Sequence, residues 1–142
     1  MTRLLVPDAS VVLKWVLPPG DEPHAEEARR LLADFVTGDV DLVVPSLWYF
    51  EVGNAVARRL PAHAARILEA LRGLSLPQAE PNSEWEATAL DLVATYGVTF
   101  YDAVYHALAI QQAGTLVSGD GKYRKRVKGA GSLAALEGYP WS

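Results

Sequence analysis

The sequence predicts an α/β fold, a three-layer α/β/α sandwich in which helices cover both faces of a central parallel sheet. Short apolar runs typical of buried strands occur at residues 4–6, 42–44 and 115–118, and segments of helical periodicity separate them. Such alternation favours a parallel sheet between helices. The chain has 142 residues, 50% of them hydrophobic and 21% charged, which is the size and composition of an ordinary globular domain. Because no linker divides it, we expect one domain over residues 1–142.

The first part of the chain is predicted to form two strands and three helices, over residues 4–6, 11–17, 22–37, 42–44 and 47–60. Pro7 ends the first strand and leaves Asp8 at its carboxyl end, and Ser10 is a candidate cap for the first helix. Apolar residues recur every three or four positions in the second helix, and Gly38 stands where a C-terminal cap belongs. The third helix is apolar enough to lie in the core, and it carries Glu51.

The second part is predicted to form three helices and one strand, over residues 61–71, 83–96, 99–112 and 115–118. Ser83 and Glu86 have the spacing of a capping box at the start of the second of these helices. Gly114 closes the third helix, and the Gly-Asp-Gly sequence at 119–121 is the turn after the last strand. Residues 77–81 contain two prolines and are expected to form a surface loop.

Composition narrows the classes of protein and of metal site. There is no cysteine, which excludes disulfides and thiolate zinc sites, so any metal is held by oxygen or imidazole. No apolar stretch approaches the roughly 18–20 residues of a membrane span, and we expect a soluble, cytoplasmic protein. The net charge of −4 argues against a general nucleic-acid coat protein. Five of the thirteen basic residues nevertheless cluster within seven positions, namely Lys122, Arg124, Lys125, Arg126 and Lys128.

Four carboxylates are candidate functional residues, namely Asp8, Glu51, Asp102 and Asp120. Asp8 and Asp120 follow predicted strands, and function gathers at the carboxyl ends of strands in α/β sheets. Glu51 and Asp102 lie in apolar segments, where a desolvated carboxylate needs a cation, a donor or water. A shared Mg²⁺ or Mn²⁺ would satisfy all four, since these ions prefer hard oxygen ligands. Such an ion suits the hydrolysis of phosphodiesters.

Each acid also has a simpler structural explanation. The three aspartates could be helix N-terminal acids that accept hydrogen bonds from free backbone N–H groups. Glu51 could occupy an exposed edge or pair with Arg58. It is the occurrence of all four acids, in this order of strands and helices, that favours a shared site.

The chain resembles a PIN domain, particularly the bacterial VapC-type toxins, in four segments that span nearly its whole length. These are VPDASVVLKW at 6–15, PSLWYFEVGNA at 45–55, YDAVYHALA at 101–109 and LVSGD at 116–120. The fourth segment departs mildly from the family pattern, because an alanine before the acid and a bulkier residue after it are more usual than Gly119 and Gly121. Asp120 is the ligand that this departure puts in doubt.

The resemblance implies a function and a set of site residues. The four acids would form the metal site, and three polar residues would support it, namely Ser10, Asn54 and Ser118. The implied fold is a parallel sheet between helices, and the implied activity is endonucleolytic cleavage of RNA with Mg²⁺ or Mn²⁺. The implied partners are the RNA substrate, a small antitoxin that blocks the site, and a second copy of the chain in a homodimer.

Two further features admit a functional and a structural explanation. The basic segment begins two residues after Asp120, so its charges could hold RNA phosphates, although a solvated helix face explains them equally. His106 lies one helical turn after Asp102 and could be a general base or a ligand, but a lone histidine on an apolar helix is more often packed in the core.

Two functions are alternatives to a ribonuclease, namely that of a different enzyme and that of a protein-interaction module. An aspartyl phosphohydrolase normally has a second acid two residues after the first, where this chain has Ser10. A catalytically silent PIN-like module that binds other proteins would not need an intact acidic set, and here all four acids are present.

Overall fold

Six strands and seven helices form between residues 2 and 141, the part of the chain that the computed structural model describes. The strands are β1 (Arg3–Pro7), β2 (Val40–Leu42), β3 (Val44–Pro45), β4 (Gln78–Ala79), β5 (Thr115–Ser118) and β6 (Leu133–Ala135). The helices are α1 (Ala9–Val16), α2 (Ala25–Val36), α3 (Trp48–Arg59), α4 (Ala64–Gly73), α5 (Ser83–Tyr96), α6 (Phe100–Gln111) and α7 (Gly121–Val127). Two 3₁₀ turns, Pro19–Asp21 and Lys128–Ala130, precede α2 and follow α7.

The central sheet has four parallel strands in the order β2-β1-β5-β6. Consecutive residues of its inner strands are buried, as Leu5 and Val6 in β1 and Leu116 and Val117 in β5 show. Both faces of a strand can be apolar only when both are covered, and α6 and α1 each pack against β1 and β5. The predicted α/β/α sandwich with a central parallel sheet is therefore confirmed.

The strand predicted at 42–44 is divided between two sheets. The N–H of Val43 still donates to the carbonyl oxygen of Leu5 in the central sheet at 3.1 Å, but the N–H of Val44 donates to Pro77 at 2.9 Å. Val44 thus begins β3, which pairs in parallel with β4 in a second, two-stranded sheet. The expectation that 77–81 is only a surface loop is wrong, because β4 lies within it.

The edge strand β6 lies outside every predicted element. It consists of one leucine and two alanines, residues that do not signal a strand by their side chains. Its pairing with β5 supplies the order instead, with Leu116 opposite Leu133 and Ser118 opposite Ala135.

The helix starts differ in detail from the predicted caps. Helix α5 has the predicted bounds, but its cap is Asn82, whose side chain accepts from the N–H of Trp85 at 3.0 Å. The predicted capping box of Ser83 and Glu86 is therefore wrong. Asn82 has an extended backbone and a carboxamide oxygen that can accept from the free N–H groups of the first turn. It therefore caps the helix one residue before Ser83, the predicted cap.

Two glycines were expected to end helices. Gly38 does so after α2, with φ of +85° and its N–H donating to Phe35 at 3.1 Å. After α6 the left-handed residue is Ala113, with φ of 54°, rather than Gly114. Gly114 is needed for another reason, because a Cβ there would lie 2.8 Å from the carbonyl oxygen of Leu4. Its lack of a side chain lets the chain enter β5 close against β1.

Within residues 2–141, no helix is both long enough and apolar enough to cross a bilayer.

Candidate active site

One cavity at the carboxyl ends of β1 and β5 is bordered by all four predicted acids. The residues that line it are Asp8, Ala9, Ser10, Glu51, Asp102, Tyr105, Leu116, Asp120 and Tyr123. Its volume is about 80 Å³, which is room for an ion and a few waters. Four acids that are spread over more than a hundred positions of sequence are thus brought together by two strands and two helices.

Asp8 lies where β1 passes into α1 and is held by backbone and side-chain contacts. Its N–H donates to the carbonyl oxygen of Val117 at 3.1 Å, which ties it to β5. Its carboxylate caps α1 by accepting from the N–H of Val11 at 3.2 Å. Burial raises the pKa of Asp8, the nearby charge of Asp120 adds to this, and hydrogen bonds from Ser10, Ser118 and Val11 oppose it. The carboxylate is therefore desolvated, and it makes no ion pair among residues 2–141.

Glu51 lies in the first turn of α3 and is half-buried. Its Oε1 is inaccessible to solvent and has no hydrogen-bond partner among residues 2–141. Burial raises the pKa of Glu51, the nearby hydroxyl of Tyr105 partly opposes this, and the charges of Asp102 and Asp8 raise the pKa further. The alternative pairing with Arg58 does not form among the described residues, where Glu51 makes no ion pair. A buried carboxylate oxygen without a partner is the strongest local indication that a bound group belongs here.

Asp102 and Asp120 are exposed at the mouth of the cavity. Partial desolvation by the surrounding protein raises the pKa of Asp102, and the charge of Asp120 adds to this. Helix α6 is capped by Thr99, whose hydroxyl accepts from the N–H of Asp102 at 3.1 Å. Asp120 caps α7 through one carboxylate oxygen, Oδ1, which accepts from the N–H groups of Lys122 at 3.0 Å and Tyr123 at 3.2 Å. The capping explanation thus holds for Asp8 and Asp120, but not for the carboxylate of Asp102.

The three predicted support residues have different surroundings. The hydroxyl of Ser10 donates to Oδ1 of Asp8 at 2.5 Å and accepts from the N–H of Gly119 at 3.2 Å. The prediction that Ser10 caps α1 is therefore wrong. Ser10 instead joins Asp8 to the loop before Asp120. Ser118 is fully buried and accepts from the N–H of Asp120 at 3.0 Å. Asn54 is exposed one turn after Glu51 and does not line the cavity.

Lys14 explains the glycine before Asp120. A Cβ at Gly119 would lie 3.1 Å from Cε of Lys14 and 3.2 Å from the hydroxyl of Ser10, so an alanine there would be crowded. Lys14 is buried, and its ammonium lies 3.4 Å from Glu22, which also contacts Arg59 at 3.5 Å. The sequence does carry a signal for this neighbour of the site, because Lys14 is a charged residue inside the apolar run at 11–17.

Two tyrosines also line the cavity, and neither was predicted to lie beside the four acids. Tyr105 and Tyr123 are buried, and their aromatic character hid them in apolar helical patterns. The pKa of Tyr105 is raised, first by burial and then by the charge of Glu51 and by the nearness of the tyrosine hydroxyl to that carboxylate. The spacing of Tyr105, three residues after Asp102 on α6, could have identified it.

The basic segment divides into two groups. The guanidinium of Arg124 donates to the carbonyl oxygen of Ser118 at 2.7 Å, and that of Arg126 donates to Gly97 at 2.8 Å. These arginines thus bind the carbonyl groups at the end of β5 and just after α5. The three lysines are exposed and bond to no other side chain within the described residues, namely Lys122, Lys125 and Lys128. A second groove contains Lys122 and Arg126 and shares Asp102 and Asp120 with the acid cavity.

His106 is a packed core residue. It is 0% exposed, and it does not line the acid cavity. A carbonyl only accepts, so Nε2 carries the proton that bonds to Gly131 at 2.7 Å. Burial lowers the pKa of His106, which keeps the ring neutral, and Nδ1 therefore accepts from the hydroxyl of Tyr123 at 2.8 Å. With both nitrogens occupied, the ring has no free site for a metal or a substrate proton.

The donor set fits a hard cation after modest rearrangement. Among residues 2–141, no three Asp, Glu, His or Cys side chains stand close enough together to hold one metal ion as they are. The lining acids do, however, raise one another's pKa, and Glu51 has an orphaned oxygen. A cation would remove that repulsion, and rotation of exposed side chains such as Asp102 would let the oxygens converge.

Solved structures of other proteins share this fold. A toxin–antitoxin complex from Klebsiella pneumoniae matches with a TM-score of 0.67 and 14% identity, over 95% of this chain and 98% of that chain. VapC20 of Mycobacterium tuberculosis, described as a toxin that cleaves the sarcin–ricin loop, matches with a TM-score of 0.66 and 16% identity, over 85% and 93%. VapBC2 of Rickettsia felis, bound to a DNA fragment of its promoter, has a TM-score of 0.66 and 12% identity, over 93% and 96%.

Comparisons of sequence give the family. No protein of curated function matches the chain significantly. The family model described as PIN domain matches residues 5–129, a range that includes all four acids of the cavity. Because this match covers most of the 142 residues, the chain belongs to the PIN-domain family.

Proposed function

We propose that this protein is a metal-dependent endoribonuclease that acts as the toxin of a VapBC-type toxin–antitoxin pair. The observation that carries the proposal is the single cavity bordered by Asp8, Glu51, Asp102 and Asp120. Three of these acids have raised pKa values, which is the state of a carboxylate cluster that needs a positive charge. Mg²⁺ or Mn²⁺ is the group whose chemistry suits an all-oxygen donor set.

The protein's own residues have distinct tasks in this reaction. Asp8 and Glu51, set on rigid elements, would hold the ion at the cavity floor, and Asp102 and Asp120 would approach it from the mouth. Ser10 and Ser118 fix the orientation of Asp8 and of the loop before Asp120. When bound, such an ion would neutralise charge on the scissile phosphate and lower the pKa of water, so that hydroxide is available as the nucleophile near neutral pH.

The exposed lysines supply charge for the rest of the RNA. Lys122 borders the groove that shares Asp102 and Asp120 with the cavity, so a phosphate next to the scissile one would meet it. Lys125 and Lys128 continue the positive surface away from the site. Because Arg124 and Arg126 are bonded to backbone carbonyls, we assign them mainly to holding this surface in place.

The solved neighbours support the toxin assignment. One of them is a toxin that cleaves the sarcin–ricin loop, and others are toxin–antitoxin complexes. By the same reasoning, we propose a small antitoxin as the partner that blocks the cavity. We also propose a homodimer as the form that cuts RNA, on the family resemblance of the sequence alone.

The alternative functions have less support. An aspartyl phosphohydrolase needs a free acid near its nucleophile, but Ser10 occupies that position and is bonded to Asp8. A catalytically silent interaction module would not have to keep four acids around one cavity.

The test compares cleavage of a mixed cellular RNA pool by the purified, antitoxin-free protein and by Asp102→Asn. Each is assayed with Mg²⁺, with Mn²⁺ and with chelator, and Asp91→Asn, an exposed acid on α5 outside the cavity, is the matched control. We expect cleavage that requires metal, persists in the control and is lost in Asp102→Asn. Cleavage that survives chelator or the Asp102 substitution would refute the proposal.

A further inference from the structure

The hydroxyl of Tyr105 is a buried polar group that the proposed mechanism has not used. Tyr105 is 2% exposed, and its hydroxyl has no hydrogen-bond partner among residues 2–141. The other buried tyrosines of the fold are satisfied, since Tyr123 donates to His106 at 2.8 Å and Tyr139 donates to Asp34 at 2.6 Å. An unsatisfied buried hydroxyl destabilises a protein and calls for an explanation.

Packing does not explain this hydroxyl. Tyr105 lies on α6 in a stretch, 103–109, whose residues are all buried. Its ring fills space in the core, and a phenylalanine ring would fill the same space. The oxygen adds only a polar atom that the surrounding core does not satisfy.

The position of Tyr105 relates the hydroxyl to the acid site. Tyr105 lines the cavity, and it lies on the same face of α6 as Asp102, three residues earlier. Glu51 lines the same cavity, and its own buried Oε1 also lacks a hydrogen-bond partner, yet the Tyr105 hydroxyl lies near enough to the Glu51 carboxylate to lower the pKa of Glu51 and to have its own pKa raised. One unpartnered donor and one unpartnered acceptor thus border the same 80 Å³ space.

We propose that Tyr105 is a positioning residue, whose hydroxyl donates to the Glu51 carboxylate when a cation occupies the cavity and so fixes that carboxylate for ligation. This inference rests on the proposed function. A carboxylate has two oxygens, so Glu51 can give one to the cation and accept from Tyr105 with the other. Ligating carboxylates commonly have such a second hydrogen bond, which orients them and is nearly as important as the ligand itself.

The test is Tyr105→Phe, with Mn²⁺ affinity measured by titration calorimetry on the metal-free protein. We expect the affinity to fall about 10-fold, the lower end of the range for lost partners of metal ligands. The thermal midpoint of the metal-free protein should be unchanged or higher, because the substitution removes an unsatisfied group. Tyr139→Phe is the matched control: it breaks a satisfied hydrogen bond away from the cavity, so it should lower the midpoint and leave Mn²⁺ affinity unchanged.

Three other outcomes would overturn the proposal, and a fourth would leave it standing while the proposed function fails. If Tyr105→Phe binds Mn²⁺ as tightly as wild type but has a lower thermal midpoint, the hydroxyl is structural. If Tyr105→Phe binds Mn²⁺ as tightly as wild type but has a higher KM for RNA, the hydroxyl contacts the substrate instead. If wild type binds no Mn²⁺, this proposal and the metal assignment fail together. If Mn²⁺ affinity depends on Tyr105 but wild type cuts no RNA, the positioning role stands and only the proposed function fails.

Discussion

The hydrogen bond between His106 and Tyr123 gives a measurable prediction about the core beneath the acid site. His106→Leu keeps a residue of similar size but leaves the Tyr123 hydroxyl without its acceptor. Tyr123 is buried, so stranding the hydroxyl should cost about 1–3 kcal/mol of unfolding free energy. The lost bond to Gly131 should cost little, because that residue is exposed and water can replace the ring.

A double-mutant cycle isolates this cost. In His106→Leu/Tyr123→Phe the stranded hydroxyl is gone, so the double variant should recover about 1–3 kcal/mol relative to the sum of the single losses. The four proteins are compared by urea unfolding at pH 7.5, followed by tryptophan fluorescence. Losses that add to within about 0.5 kcal/mol would show that the two side chains are not coupled, and the assignment of the neutral, accepting Nδ1 would be wrong.

The same pair determines how stability responds to mild acid. The folded pKa of His106 lies below its ordinary value of 6.5, so between these two values the unfolded chain binds more protons than the folded one. The contribution of His106 is therefore fully present above pH 6.5 and is lost as pH falls toward the lowered pKa. In His106→Leu this part of the pH dependence should disappear.

Two further predictions concern the site. Burial raises the pKa of Asp8 above its ordinary value of 3.8. Ionising Asp8 therefore does not lower the free energy of unfolding below pH 3.8, and it lowers it by the full amount once pH has risen through the folded pKa. Since asparagine caps a helix as well as aspartate, metal-free Asp8→Asn should be more stable than wild type at pH 7, with the difference closing toward pH 4, by thermal melts in chelator. Replacing the three exposed lysines by glutamine should weaken single-stranded RNA binding and reduce the salt slope of log K by about 2, by fluorescence anisotropy in an Asp102→Asn background. An unchanged slope would mean that RNA does not contact these residues, which are Lys122, Lys125 and Lys128.

The predictable part of the fold is the part that local pattern determines. Strands β1 and β5 are covered on both faces, so they show as continuous apolar runs, and the acids after them show where those runs end. The division at Val43 has no such signal, because successive residues pair with different sheets while all remain apolar. Strand β6 depends on its partner, and nothing in Leu133-Ala134-Ala135 specifies it locally.

The site shows the same limit. Of the four acids that border the cavity, Asp8 and Asp120 stand out in the sequence because they follow strands. Glu51 and Asp102 stand out because charge in an apolar segment is conspicuous. Tyr105 is amphipathic, and in the sequence its ring cannot be distinguished from the other core residues of α6. The exchange of roles between Asp8 and Ser10 was also hidden, because either side chain can cap a helix and only the three-dimensional position of Gly119 shows which hydrogen bonds Ser10 makes.

The central claim is that four carboxylates share one cation site. Its most direct test is anomalous diffraction from crystals of the protein soaked in Mn²⁺ at a pH where the acids are ionised, with Asp8→Asn crystals as the comparison. We predict an anomalous peak in the cavity bordered by Asp8, Glu51, Asp102 and Asp120, with Glu51 among its ligands and the peak lost or much weakened in the variant. A peak elsewhere, or an empty cavity in well-ordered soaked crystals, would contradict the account.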